Sequence, residues 1–480
     1  MNVRTQSQIA AIDHSGWQLE GGRLRAFVLV AGTALVVAAL YHVFLSHPDQ
    51  SSALPPLVPG TTPIQRVIVI MKENHAFDNY FGTYPLANGI PENASLPDGS
   101  GGRVSPHWLS MSWTPDLPHS RADMITSFDV GENDLFAVVA DHAVPGLGNI
   151  SVGYYDRRQL PYYWSLAQNF TLADRYFASI LGPTTPNRLF SIAGQAGGLT
   201  TNPIHGLEVD FPTIFDQLDA RGISWRYYGI ANELETTTLL QLRHIVSNPA
   251  MSSKVIPLSM LARDIRSDDL PSVTYIDPNG FLAADLQINE HPPGNVTTGQ
   301  TWTESVVQSI MTSSMWASCV IILTWDESGG FYDHVPPPQV DQWGYGFRVP
   351  MLAISPFSRR GSIDHTVMDH TSILKFIARN WNLPALTSRE ALASDMMSIF
   401  DFPVVNGGNL MGSSLRGERT NAPRLQAERA YPSDILRREG IGPSVGPCGD
   451  IHPEARFTLS RGDRREARVD GCVRRAVDSG

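Results

Sequence analysis

The chain has 480 residues, of which 42% are hydrophobic and 17% charged, with a net charge of −11. So few charges exclude wholesale disorder, three cysteines exclude a disulfide scaffold, and the acidic balance excludes a general nucleic-acid binder, which needs a basic face. The 40 glycines and 35 prolines predict many loops and argue against a helix bundle.

The charge is unevenly placed. Residues 1–59 carry three arginines and three acids, and residues 403–480 carry 13 arginines and 10 acids. The stretch between holds 20 basic and 34 acidic residues, net −14. An acidic middle suits a divalent-cation site and equally suits an ordinary enzyme surface.

In chain order, residues 1–25 read as a cytoplasmic leader. Residues 26–45 are apolar and uncharged, interrupted by His42, and long enough to cross a bilayer. Arg23 and Arg25 precede them and place the N-terminus in the cytoplasm. The segment reads as an uncleaved signal anchor. A signal peptide cleaved near Ser51-Ser52-Ala53 is the alternative. Either way the remainder is expected outside the cytoplasm, periplasmic or extracellular, after a Ser/Pro-rich linker over 46–61.

The next apolar run, 67–71, ends at Glu73-Asn74. Residues 85–160, rich in Gly, Pro, Ser and Asp, read as a long irregular insertion near a site. Further strands are expected over 223–228, 272–276, 318–324 and 349–355, with helices over 211–221, 303–315 and 370–381. Unbroken β-branched runs suit strands buried on both faces of a sheet. Their alternation with helices gives an α/β fold with a mostly parallel sheet. Ligand sites in such sheets lie beyond the carboxyl ends of the strands, where Glu73-Asn74 and Asp326-Glu327 fall.

Four further positions carry chemistry. In Thr184-Thr185-Pro186, Pro186 fits the first helical position and Thr185 the N-cap. Thr184 then sits by the free amides, where an anion is favoured. Taken alone, the run is an ordinary helix start. Glu73, Asn74, Asp326 and Glu327, with the Thr184 hydroxyl, offer hard oxygen ligands for one divalent cation. Acids after a strand are also common loop solvators. His119, His291 and His334 lie in polar, Pro-rich loops, where an imidazole serves as proton donor, phosphate contact or ligand. His370 reads as opening a helix. Cys448 and Cys472 can pair in an exported chain, whereas Cys319 reads as a buried thiol. Trp113, Tyr154, Tyr155, Trp164 and Trp343 suit either core packing, the favoured reading, or a cage for a quaternary ammonium.

The run Glu73-Asn74-His75-Ala76-Phe77-Asp78-Asn79-Tyr80-Phe81-Gly82 resembles the E-N-x-S-F-D-x-Y-F-G signature of the bacterial phosphoesterase family. That family includes phospholipases C and acid phosphatases and belongs to the alkaline-phosphatase-like superfamily. The resemblance continues through Gly182-Pro183-Thr184-Thr185-Pro186-Asn187-Arg188, Thr324-Trp325-Asp326-Glu327 with Gly329-Gly330-Phe331-Tyr332-Asp333-His334, Gly346-Phe347-Arg348-Val349-Pro350, and Asp369-His370-Thr371-Ser372. It spans about residues 62–402, leaving 403–480 as an Arg-rich, partly disordered tail.

The resemblance implies a three-layer α/β/α sandwich around a mostly parallel sheet, alkaline-phosphatase-like. It implies metal ligands at Glu73, Asn74, Thr184, Asp326 and Glu327, a nucleophile at Thr184, and site histidines at His119, His291 and His334. The implied activity is metal-dependent phosphodiester hydrolysis of the phospholipase C type, on a phospholipid or small phosphate ester, with acid phosphatase as the alternative. Ala76 stands where the family usually has Ser, and His75 where it often has Arg. A sulfatase is a weaker rival, because Thr184 cannot become a formylglycine. A membrane-anchored binding protein with an inactive site is the remaining alternative.

Overall fold

A computed structural model describes residues 59–203, 209–229, 237–280 and 282–403. The expected leader, anchor, most of the linker, the tail and both Cys448 and Cys472 lie outside these residues. Among the described residues no helix is long and apolar enough to cross a membrane.

The central sheet has eight strands: β1 (Arg66–Lys72), β2 (Thr171–Ala173), β3 (Trp225–Gly229), β4 (Val255–Pro257), β5 (Val273–Ile276), β6 (Cys319–Trp325), β7 (Met351–Ile354) and β8 (Ser362–Asp364). Their order across the sheet is β8-β2-β7-β6-β1-β5-β3-β4. The β1–β5, β1–β6, β5–β3, β3–β4 and β2–β8 pairs are parallel, while β7 runs against both β6 and β2. The expected strands are all present, each within two residues of its predicted ends. The short strands β4 and β8 at the two edges, and β2 next to β8, were not expected. Three or so residues are too few to show a period.

The helices used below are α1 (Phe77–Phe81), α2 (Arg121–Phe128), α3 (Phe136–Ala143), α4 (Thr184–Ala193), α5 (Ile214–Ala220), α6 (Val296–Met311) and α7 (His370–Trp381). Strand alternation assigns them to two faces. Tyr275 of β5 donates to the Ser191 carbonyl of α4 at 2.9 Å, and its ring meets Phe215 of α5. On the opposite face Lys72 of β1 donates to Thr303 of α6 at 3.0 Å. With α7 packed on α4, the sheet is covered on both sides, giving the α/β/α sandwich. That is why Val67–Ile70 and Cys319–Leu323 are fully buried and read as unbroken apolar runs.

Two expectations shift. Helix α6 begins at Val296, earlier than 303, because Asn295 caps it by accepting from the Thr297 and Thr298 amides. The 85–160 insertion is not irregular throughout, since it contains α2 and α3. A Ser120–Asp123 capping box starts α2. Helix α7 has its expected bounds, with Asp369 in the cap position and His370 as its first residue.

Cys319 is a free, buried thiol, and burial pushes its pKa up to about 12. Iodoacetamide at pH 8 is therefore expected to leave the Cys319 peptide unmodified in the folded chain and to label it after unfolding in guanidinium. Peptide mass spectrometry reads the difference, and labelling of the folded chain would contradict this packing.

Candidate active site

Three parallel strands end side by side. Glu73-Asn74 follows β1, Asp277 follows β5, and Asp326-Glu327 follows β6. Five polar side chains that are each 2% exposed or less then share the carboxyl edge of the sheet. Such carboxylates repel one another unless a cation lies among them.

Arg188 supplies that cation from α4. Its guanidinium donates to Glu73 Oε1 at 2.7 Å, Asp277 Oδ1 at 2.6 Å and Asp326 Oδ2 at 3.2 Å, and also to the Met71 and Lys72 carbonyls. Burial opposes its charge, but Asp277, Glu73 and Asp326 together raise its pKa above the usual value. Neither Arg188 nor Asp277 was singled out from the sequence. Arg188 closes the run that begins at Gly182 and Asp277 directly follows the strand expected over 272–276, but nothing along the chain shows that they converge.

Helix α4 begins at Thr184 and not beyond Thr185, with Pro183 in the cap position. Pro186 is thus the third helical residue, where a missing N–H still costs nothing. The Asn187 side chain closes the preceding loop through Ile180, Gly182 and Pro183. The Thr185 amide is taken by Asn202 Oδ1 at 2.8 Å. Two of the first three amide positions therefore offer no donor to a ligand. The buried Thr184 hydroxyl lies 3.3 Å from Glu73 Oε2 and donates to it.

Asn74 takes a left-handed conformation, φ 56°, which asparagine tolerates better than most residues. Its amide donates to Asp326 Oδ1 at 3.1 Å, an oxygen that also accepts from the Glu327 amide at 2.8 Å. Glu327 Oε2 accepts from Gly329 N at 2.5 Å. A Cβ on Gly329 would lie 2.4 Å from the Asn74 carbonyl, so only glycine fits there. Asn74 Oδ1 and Glu327 Oε1 are buried and have no hydrogen-bond partner. Burial, then Asp326, pushes Glu73 well above the usual carboxylate range against the pull of Arg188. Burial and Asp326 do the same to Glu327. Two orphaned acceptors among carboxyls that resist ionisation fit a hard divalent cation. Glu73, Asn74, Thr184, Asp326 and Glu327 are the residues that can hold one.

Two of the three histidines join this group. His119 Nε2 lies 3.3 Å from Asn74 Nδ2 and 3.8 Å from Glu327 Oε1. The His119 and His291 rings meet edge to face at 5.7 Å. His119 Nδ1 faces the Leu117 carbonyl and His291 Nδ1 the Pro292 carbonyl, each at 2.6 Å. A carbonyl only accepts, so Nδ1 carries the hydrogen and Nε2 the lone pair in the neutral ring. Burial holds His291 below the ordinary imidazole value, against the pull of Asp116. Asp116 brings a carboxylate within 4.8 Å of ligand atoms of His119 and His291. Nothing in the sequence pattern singles Asp116 out beyond its place three residues before His119.

His334 lies elsewhere. Its Nδ1 donates to Asp78 Oδ2 at 2.6 Å, and its Nε2 meets Asn88 Oδ1 at 3.2 Å. Buried Arg348 donates to Asp333 Oδ1 at 2.8 Å and to Asp78 Oδ1 at 2.9 Å. Asp78, Asp333 and His334 are close enough to chelate, but Arg348 already bonds to both acids. The cluster clamps α1 to the loop after Glu327. His370, the first residue of α7, lies beneath the site, with Nε2 2.8 Å from the Asp326 carbonyl.

The five aromatics do not pack together. Tyr155 and Trp164 are core residues, Trp343 packs on the core, and Trp113 is half exposed. None of the described ring contacts joins two of them.

The phosphoesterase family model matches residues 64–384. The chain belongs to the phosphoesterase family. It is accordingly a hydrolase acting on phosphoester bonds. It is 28% identical to the hemolytic phospholipase C of Pseudomonas aeruginosa over 86% of this chain and 66% of that protein. It is 29% identical to phospholipase C B of Mycobacterium tuberculosis over 80% of this chain and 86% of that protein. Non-specific phospholipase C1 of Arabidopsis thaliana is 28% identical over 78% of each. Among solved structures, a protein of the alkaline phosphatase superfamily from Vibrio parahaemolyticus aligns with a TM-score of 0.33 and 11% identity, over 69% of this chain and 71% of its own.

Arg348→Met leaves Asp78 and Asp333 buried without their cation. A stability loss of roughly 3–5 kcal/mol is expected, measured by urea unfolding. An unchanged midpoint would show that the clamp carries no load.

Proposed function

We propose that this chain hydrolyses phosphodiesters of the phosphatidylcholine type through a phospho-threonine at Thr184. The observation that carries the reading is the Thr184 hydroxyl itself. It opens α4, is buried, and donates to Glu73 Oε2 at 3.3 Å. The names of the relatives support the choice of a phospholipid diester.

Glu73, Asn74, Thr184, Asp326 and Glu327 would hold one divalent cation, which when bound lowers the pKa of the threonine hydroxyl and offsets phosphoryl charge. Helix α4 presents its positive end to the phosphoryl group. Thr184 Oγ forms a bond to phosphorus, and the bond from phosphorus to the leaving alcohol oxygen breaks. The hydroxyl proton ends on that alcohol. His291 is the relay, because its Nδ1–H is held by the Pro292 carbonyl and its Nε2 lone pair is free to take and return a proton. Water then attacks phosphorus, the bond from phosphorus to Thr184 Oγ breaks, and the threonine regains its proton. His119 lines the same group beside Asn74 and Glu327.

Thr184→Ala should lower turnover of p-nitrophenyl phosphorylcholine by roughly 10³-fold or more and leave the circular-dichroism melt unchanged. Wild-type turnover by this variant would remove Thr184 from the mechanism. Acid quench followed by mass spectrometry should find phosphate on the peptide containing Thr184. EDTA should abolish turnover and a divalent salt restore it, with full activity in EDTA counting against a metal. Faster cleavage of p-nitrophenyl phosphate than of the diester would favour a phosphatase.

A further inference from the structure

The face of the sheet opposite Arg188 holds a second buried charge. Glu290 and Lys72 pair at 2.9 Å, both side chains 0% exposed. Lys72 also donates to the Ile288 and Gly299 carbonyls and to Thr303 Oγ1. Three neutral donors converge on the same carboxylate. Tyr163 donates to Oε1 at 2.5 Å, and Tyr80 at 2.8 Å and Trp325 Nε1 at 3.2 Å donate to Oε2.

Three members of the group share one property. Each charged or indole member of the group immediately precedes a site residue: Lys72 before Glu73, Trp325 before Asp326, Glu290 before His291. The backbone repeats the linkage. The Glu73 amide donates to the Asn289 carbonyl at 2.9 Å, and the His291 amide to Asn289 Oδ1 at 2.9 Å. Glu290 itself is left-handed, φ 76°, a conformation that a non-glycine residue keeps only when its surroundings hold it. A Cβ on Gly299 would lie 2.2 Å from Glu290 Cγ, so α6 reaches this distance only through a glycine.

We infer that Glu290 is a positioning residue for phosphoester cleavage: its carboxylate fixes His291 relative to Glu73 and Asp326. This rests on the proposed function above. Lys72 alone would neutralise the carboxylate. The two phenols and the indole add direction, and direction is what a neighbouring proton relay requires.

The test separates placement from charge balance. In the full chain, Glu290→Gln leaves Lys72 unpaired and should lower the thermal midpoint. It also presents an NH₂ group to phenol and indole donors. Lys72→Met combined with Glu290→Gln removes both charges. We expect this double variant to regain much of the midpoint while kcat on p-nitrophenyl phosphorylcholine stays at least about tenfold down with KM nearly unchanged. Recovery of kcat together with the midpoint would overturn the inference, because the pair would then only balance charge. If the double variant fails to fold, Tyr80→Phe with Tyr163→Phe keeps the ion pair and removes two orienting donors. The same loss of kcat is expected there, and wild-type kcat would overturn the inference. A wild-type chain inactive on this ester and on p-nitrophenyl phosphate would overturn the proposed function, and the inference with it. An active wild type confines every other outcome to Glu290.

Discussion

One guanidinium holds the carboxyl edge of the sheet together. Arg188 bonds to acids that follow three adjacent strands, and without it Glu73, Asp277 and Asp326 would be buried like charges. Its effect on the fold goes beyond neutralisation. Arg188 belongs to the helix that begins with Thr184, so the bonds that neutralise the acids also fix the start of that helix against them. The distance from the Thr184 hydroxyl to Glu73 is set by the same residue that allows Glu73 to be buried. Such a buried arrangement is costly in desolvation, and its justification is geometric.

The opposite face repeats the principle with the sign reversed. There a carboxylate, Glu290, is the hub, and one cation with three neutral donors surrounds it. Chain alternation at the end of β1 connects the two hubs, because Lys72 turns to Glu290 and Glu73 to Arg188. Each hub gathers residues from segments distant in sequence. The site is thus held from both sides of the sheet by fully buried groups whose partners cannot be exchanged for water.

The parts legible in the sequence were those with local signals. The unbroken runs at 67–71 and 318–324 announced strands buried on two faces, and the acids after them announced the carboxyl edge. The start of α4 was misjudged, because Pro186 suits the first and the third helical position equally, and only the Asn187 contacts distinguish them. Short edge strands carry too few residues to show alternation. His334 looked equivalent to His119 and His291 as a polar histidine in a Pro-rich loop. What separates it is Arg348, fourteen residues on, and sequence spacing does not reveal which acid an arginine meets. Arg188, Asp277, Lys72 and Glu290 were hidden for the same reason, since their roles exist only once the strands lie side by side.

The reversed strand β7 has its own effect on the design. A parallel successor to β6 would have to cross back over the sheet, consuming the intervening chain in a helix. Because Met351–Ile354 instead descends beside Cys319–Trp325, the chain from Asp326 to Pro350 starts and finishes at one edge. It has no distance to cover and is free to be all loop. That segment supplies Glu327, Gly329, Asp333, His334 and Arg348. The antiparallel register constrains only the two ends of this segment, so the loop between them is fixed by its own residues, through the close approach of Gly329 to Asn74 and the Arg348 bonds to Asp78 and Asp333.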